Sequence, residues 1–495
     1  MEKSEAYSRM PKWLSCLLCG LRRLAGLKLP LRSFFEGGLY PLIVAALVAI
    51  GHIAGAEFYL NIVILLMAGL ALVVCESTLS LIVPMVTFIF QVPLKHSPGY
   101  PTFSTYYFDG AKIAVVIILA LFIFGLLIYR FVRLARRKLT ASSAMLIPVS
   151  ILSVAFLLNG VFSAKWGAAG LLLGFIEAAV YFIGFYLFYL GLSEEGTDRL
   201  LDYICHATLC IALVLIAQMA FMYLTYDNLI VGGTVVKEQV NLGWGIWNPV
   251  GFSLTVLIPV LVYGAMRMKH PAIYIAVSIL TYLCALLTMS RNALIFATLA
   301  LAVSFIIGCF AGNRRKLFRI ITAIGLAAVA IVAILLREKV AELFSKVLEQ
   351  GLSDNGRFSL WSVGIENFLS SPIFGTGLFS FSGNGSSDVA SFIPTMAHNT
   401  FVQLLSSMGI VGLIAYGIYR AHSLVPFVRR PSLAKSMLLL PILIVLGMSL
   451  LDNFVFYVYT IFYYNIVLAI AFIIYERERS SADVEEAKLT SEDEA

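Results

Sequence analysis

Asn355-Gly356-Arg357-Phe358-Ser359-Leu360-Trp361, then Pro372-Ile373-Phe374-Gly375-Thr376-Gly377, then His398-Asn399, nine residues and Gly409-Ile410-Val411-Gly412: these lie in the longest polar interval of a chain otherwise made of apolar runs. The interval holds an arginine at the head of a segment with helical spacing, a pair of glycines, and a histidine just before the next apolar run. Read outward from it, the rest of the chain is apparatus for holding this interval at one surface of a bilayer.

Sixty per cent of the 495 residues are hydrophobic and 13% are charged, with a mean hydropathy of +0.92. A soluble chain of this length needs far more charge to cover its surface. The apolar runs recur at a length of about 20 residues, which crosses a hydrocarbon core. An all-α, polytopic integral membrane protein follows. The expected spans are residues 39–54, 58–75, 78–92, 111–130, 143–163, 167–191, 200–225, 247–266, 271–289, 292–310, 317–336, 400–421, 435–451 and 454–475. That is about fourteen, with both ends on one side. The third is short, and Cys75-Glu76-Ser77-Thr78 leaves little room between it and the second, so the two read as a hairpin.

Basic residues test this count. Arg130 to Lys138, Arg267-Met268-Lys269-His270, Asn313-Arg314-Arg315-Lys316, Arg429-Arg430 and Glu476-Arg477-Glu478-Arg479 all fall on the side of the basic N-terminal segment, residues 1–38. Cytoplasmic loops carry the excess of Lys and Arg, so that side is cytoplasmic. Residues 93–110, 226–246, the turn at Ser290-Arg291 and the large loop 337–399 then face outward. Residues 39–336 form the first eleven spans, 400–475 the last three, and the acidic tail 476–495 reads as disordered. The net charge of +7 sits in short inter-span segments, where it sets orientation and touches anionic lipid rather than nucleic acid. No cleavable signal peptide is expected. The seven cysteines fall in the cytoplasmic segment, in spans or near cytoplasmic ends, so no disulfide framework is expected. No repeat of fixed period is visible.

Within the large loop, Ser353, Asp354 and Asn355 are good helix caps and Pro372 ends the segment. Phe358, Trp361, Ile365 and Phe368 recur at helical spacing between them. An amphipathic helix lying in the outer interface is expected, with Arg357 in its first turn. Residues 383–387 read as a flexible loop, and a second helix starts near His398.

Three residues invite chemistry. Arg291 stands alone between two apolar spans on the outer side, where topology does not ask for a cation; the bland reading is a snorkelling interfacial residue, and the functional one is an anion ligand. Arg357 opposes the helix dipole at a helix start, which favours an anionic partner, although alone it would be an ordinary surface arginine. His398 opens a helix beside the glycine-bearing segment, where a neutral imidazole can accept a proton from a hydroxyl. The other five histidines sit singly at span ends or in loops and receive no role. Glu177 lies mid-span and needs a partner or a cavity. Cys205-His206-x3-Cys210 offers no complete metal set and reads as core packing. Tyr457, Tyr459, Tyr463 and Tyr464 read as an outer aromatic belt, or as the wall of a lipid groove.

Ser290-Arg291-Asn292-Ala293, the 356–361 and 372–377 segments and His398-Asn399-x9-Gly409-x2-Gly412 together resemble the O-antigen ligase and polysaccharide polymerase family of bacterial envelope enzymes. The resemblance covers residues 240–475. It implies a GT-C-like, metal-independent, inverting glycosyltransferase of the inner membrane, needing no cofactor. It implies an undecaprenyl diphosphate-linked glycan as donor, a glycan or lipid acceptor, and a site facing outward. Carried over, Arg291 and Arg357 bind the diphosphate and His398 is catalytic, with Asn399, Lys237, Trp244 and Trp361 in support. Where ligases of the family follow the second motif glycine with Thr-Gly, this chain has Leu413-Ile414, which favours a polymerase or a distant ligase. Family members also often carry an arginine upstream of an Asn/Pro-containing segment. Here residues 240–249 hold none, and Lys237 would substitute as a point charge. Trp244 and Trp247 would stack on sugar or anchor the interface. A polysaccharide transporter or flippase, with Glu177 as coupling site, and a non-catalytic assembly scaffold are the alternatives.

Overall fold

A computed structural model describes residues 28–92, 112–227, 229–232, 234–335, 357–378, 397–429, 431–454 and 458–493. The chain enters through the short helix α1 (Lys28–Phe35) and climbs α2 (Leu39–Ala54) and α3 (Glu57–Val74). A broken stretch follows, two 3-10 turns flanking α4 (Ile82–Thr87). Then come α5 (Lys112–Lys138), α6 (Leu146–Phe162), α7 (Ala168–Leu192) and α8 (Thr197–Thr225). A two-stranded ribbon, β1 (Ile230–Val231) with β2 (Thr234–Val235), leads into α9 (Trp247–Arg267), α10 (Pro271–Leu287), α11 (Arg291–Phe310) and α12 (Arg315–Leu335). The last elements are α13 (Arg357–Ser370), α14 (Thr400–Ser423), α15 (Val425–Val428), α16 (Leu433–Met448) and α17 (Val458–Asp493). Among the described residues, seven helices are long and apolar enough to cross a membrane, and five apolar helices are shorter. The chain is an all-α, multi-pass membrane protein.

The middle of the bundle is α9, whose most apolar 18-residue window is wholly buried. Lipid offers apolar side chains no less than protein does, so helices meet closely where small residues let their backbones approach. Gly264 faces Tyr274 of α10, and a Cβ there would lie 2.4 Å from the ring. Gly251 faces the start of α11, and a Cβ there would lie 2.6 Å from Ala293 Cβ. The second contact seats the head of α11, and with it Arg291, against the head of α9.

Helix α14 is interrupted. Gly409 has φ 64° and ψ −160°, which breaks the backbone ladder between residues 406–407 and 410–411. Buried backbone groups must still be paired. Residues 372–377 supply all four partners. The N–H groups of Ile410 and Val411 donate to the carbonyls of Pro372 (2.9 Å) and Ile373 (3.3 Å), and those of Thr376 and Gly377 donate to the carbonyls of Ser406 (2.9 Å) and Ser407 (3.0 Å). Asn159 of α6 closes the joint, its Nδ2 donating to Phe374 O at 2.7 Å and Ser407 O at 2.5 Å. Gly375 (φ 71°) and Gly409 are glycines for two reasons: the left-handed backbone, and carbonyls that would sit 2.4 Å from any Cβ.

The two ends of the bundle differ in charge. At the end remote from the heads of α9, α11 and α14, cations are paired. Arg199 bridges Glu36 and Glu195, Arg267 bridges Asp198 and Asp202, Lys138 meets Glu194, and the fully buried Lys435 meets Glu478. These pairs tie helix ends distant in sequence into one layer.

Three expectations need correction. The third span, 78–92, is not one continuous helix: two 3-10 turns flank the short α4, and the stretch is largely buried, with Thr78 beside Gly191 of α7 and Phe90 against Trp244. The acidic tail, expected to be disordered, continues α17 to Asp493, because its Ala, Glu, Lys and Arg are strong helix formers and Arg477 is anchored to Ser193 O at 2.7 Å. Tyr463 and Tyr464 are buried rather than in an aromatic belt, since α17 runs through the interior and Tyr463 meets Thr208 at 3.0 Å. The cap residues 353–355, the 383–387 loop, Tyr457 and the first 27 residues lie outside the described residues.

Gly409→Ala should destabilise the fold by roughly 1–3 kcal/mol, the magnitude of a forced left-handed residue with a backbone clash. Gly417→Ala, one helix face away with open space around it, should be neutral or stabilising by up to about 1 kcal/mol. Thermal unfolding in detergent compares the two; equal midpoints would refute the backbone-joint account.

Candidate functional site

Two helix heads are built alike. Met289 adopts φ 55°, Ser290 caps α11 by accepting from the Ala293 N–H, and Arg291 is the first helical residue. His398 adopts φ 50°, Asn399 caps α14 by accepting from the N–H groups of Phe401 (2.9 Å) and Val402 (3.1 Å), and the helix begins at Thr400. Ser and Asn are strong caps because their short side-chain oxygens reach otherwise orphaned N–H groups. In each case a left-handed residue turns the chain sharply into the cap. Arg291 and His398 are therefore held at the mouths of their helices, Arg291 exposed and the His398 side chain 41% exposed.

The turn between α16 and α17 joins these heads. Asp452 is buried there, its side chain only 2% exposed. Its Oδ1 lies 3.3 Å from His398 Nδ1 and accepts from the Asn453 N–H at 2.8 Å. Its Oδ2 accepts from Asn248 Nδ2 at 3.1 Å, and Asn248 Oδ1 accepts from Ser290 Oγ at 2.7 Å. A continuous chain therefore runs Ser290–Asn248–Asp452–His398, from the neighbour of Arg291 to the imidazole. The same turn is stitched down by its backbone. Asn399 Nδ2 donates to Leu450 O at 2.9 Å, Thr400 N to Ser449 O at 2.9 Å, and Thr400 Oγ1 to Asp452 O at 3.1 Å.

The cations gather on the same face. Arg357 heads α13, half-buried, and Trp361 one turn on donates its Nε1 to Ala397 O at 2.9 Å, docking α13 beside His398. Lys237 lies 5.1 Å above the Trp247 ring, at the head of α9. Burial pulls the Lys237 ammonium below its ordinary value; the Arg291 guanidinium adds to this, Glu238 opposes it, and Arg357 adds further. Two guanidinium groups thus act on one amine. Such a cluster repels itself, and an oxyanion between its members relieves the repulsion while making charge-assisted hydrogen bonds.

Of the residues singled out in the sequence, Arg291, Arg357 and Lys237 share one electrostatic neighbourhood, and Asn399 and Trp361 hold the backbone around His398. Trp244 does not offer a face to a ligand. Its ring is buried against Phe90 with centroids 4.5 Å apart, and its Nε1 donates to Gln218 Oε1 at 3.0 Å, so it anchors the loop. Glu177 is buried within α7, and among the described residues its Oε2 has no hydrogen-bond partner. Asp452 escaped sequence reading. The signal was present: an acidic residue in a turn of a few residues between the last two apolar runs, on the side assigned to Arg291 and His398.

Residues 276–417 match the family model described as O-antigen ligase. That stretch takes in Arg291, Arg357, the 372–377 segment and His398, while Lys237, Asn248 and Asp452 lie beyond it. No curated protein matches the chain.

Because the two guanidinium groups depress Lys237, removing either should raise the pH at which this lysine becomes reactive. Arg291→Ala should shift it further than Arg357→Ala. Competitive acylation followed by peptide mass analysis reads the titration, and an unmoved curve in both variants would dissolve the cluster.

Proposed function

We propose, from the match of residues 276–417 to the family model described as O-antigen ligase, that the chain is a membrane glycosyltransferase. It moves a glycan from an undecaprenyl diphosphate carrier to an acceptor hydroxyl at the outer face of the bacterial inner membrane, in surface polysaccharide biosynthesis. The fold on this reading is GT-C-like, with about fourteen spans and both termini in the cytoplasm. What supports the orientation is the separation of charge: the ion-paired basic layer lies at one end of the bundle, and the Lys237, Arg291 and Arg357 cluster at the other.

The observation that carries the chemical reading is the His398–Asp452 pair, tied through Asn248 and Ser290 to the residue next to Arg291. With Asp452 accepting the Nδ1 proton, the lone pair of His398 stands on Nε2. An acceptor hydroxyl gives its proton to that nitrogen as its oxygen attacks the anomeric carbon. The bond from that carbon to the phosphate oxygen breaks, and its electron pair leaves with the carrier diphosphate. Attack from the face opposite the leaving group inverts the centre. Arg291, Arg357 and Lys237 hold the diphosphate and meet the charge that grows on it. Fixed cations aimed at a leaving group remove the need for a general acid, and for a divalent ion to bind the phosphates. Asp452 keeps the imidazole in the right tautomer and stabilises the imidazolium that forms.

Arg291→Ala, Arg357→Ala and His398→Ala should each lower glycan transfer from a purified carrier-linked donor by at least roughly 100-fold, the scale of a lost charge-stabilising or proton-accepting group. The proteins should remain folded and inserted. Asp452→Asn should also fall by roughly 100-fold or more, since the amide cannot support the imidazolium. Full transfer in the arginine and histidine variants would overturn the reading, and glycan flux across vesicles without transfer would replace it with transport. In a deletion strain, single repeat units left on the carrier identify a polymerase, and long unattached chains a ligase.

A further inference from the structure

His398 is in an unfavourable backbone conformation. A left-handed residue other than glycine persists only where its surroundings over-determine it. What holds it on the C-terminal side is the Asn399 cap. On the N-terminal side the chain arrives from the loop, and the fixed point is Ala397. Its carbonyl accepts from Trp361, and its N–H donates to Gln403 Oε1 at 2.8 Å.

Gln403 is 1% exposed and has every polar atom engaged. The same Oε1 also accepts from Asn453 Nδ2 at 3.1 Å, and Nε2 donates to Ser407 Oγ at 2.8 Å. Asn453 is the residue whose backbone N–H donates to Asp452 Oδ1. Ser407 is the residue whose carbonyl receives Gly377 at the break in α14. One amide thus touches the neighbour of His398, the neighbour of Asp452, and the joint between α14 and the 372–377 segment.

We propose that Gln403 is a positioning residue that sets the register of the His398 imidazole against the Asp452 carboxylate. It does so through one acceptor atom shared by the two segments that carry them. The inference rests on the base role given to His398. A single oxygen that receives both N–H groups couples the two segments: neither can shift without stretching its own bond. It touches neither the cations nor the solvent-facing edge of His398, so its loss should disturb proton transfer and leave donor binding in place.

The test is steady-state transfer with the purified full chain and a carrier-linked donor. Gln403→Met keeps the size and removes the acceptor. It should lower kcat by roughly 10- to 100-fold, the scale of a misplacement on the order of an ångström, with the donor KM within about twofold of the parent. Gln403→Glu keeps an acceptor oxygen for both N–H groups, and the Ser407 hydroxyl can turn to donate to it. It should retain kcat within about threefold. Unchanged kcat in Gln403→Met overturns the proposal, as does an equal fall in both variants or a rise in KM that matches the fall in kcat. If Gln403→Met does not insert, Asn453→Ala, which removes one of the two donors, must show the same kcat loss at constant KM. His398→Ala in parallel separates the two readings. If it stays active, the base role fails. If it is inactive while Gln403→Met is not, only Gln403 is misassigned.

Discussion

Helix α14 gives up two rungs of its backbone ladder at Gly409, and residues 372–377 take them over. Four backbone groups that would otherwise be orphaned in a low-dielectric interior are satisfied by a segment from the large loop. Each such group left bare costs several kcal/mol in a membrane. The joint is therefore as binding as a covalent staple in deciding where the loop enters the bundle. It fixes the end of α13 against α14, and so brings Arg357 and Trp361 to the side of the helix that begins beside His398. It also accounts for Gly375 and Gly409, since each lies where a Cβ would run into the other segment's backbone.

Asp452 is the second constraint. A carboxylate buried to 2% side-chain exposure needs donors, and it receives them from Asn248 on α9, from His398 before α14, and from its own turn. A buried polar network that is fully satisfied specifies one arrangement, and a partly satisfied one is destabilising. Three helices that share no local sequence are thereby locked at one end. Shape fixes their spacing at the same place, through Gly251 against Ala293.

Electrostatics divides the molecule. At one end Lys138, Arg199, Arg267 and Lys435 are spent on carboxylates and bind helix to helix. At the other, burial first, and then Arg291 and Arg357 against the opposing Glu238, pull Lys237 below its ordinary value. Phe358, Ile365 and Leu369 on α13 are exposed apolar residues, as on a helix whose outer face meets lipid.

Much of this was legible without coordinates. The run of apolar segments, their ends, the amphipathic helix after Arg357 and the helix start at His398 follow from local transfer energy and capping, which depend on neighbours within a few residues. Arg291, Arg357 and His398 stood out because each is a polar group where an apolar chain has no local use for one. Tertiary structure decided the partners. Asp452 lies 54 residues beyond His398 by sequence number, and its role depends on which helix heads meet. The left-handed turns at Met289 and His398, the exchange of rungs at Gly409 and the burial of Trp244 likewise arise from contacts between distant segments. Periodicity reports which residues leave water or lipid; it carries no information about which buried donor will meet which acceptor.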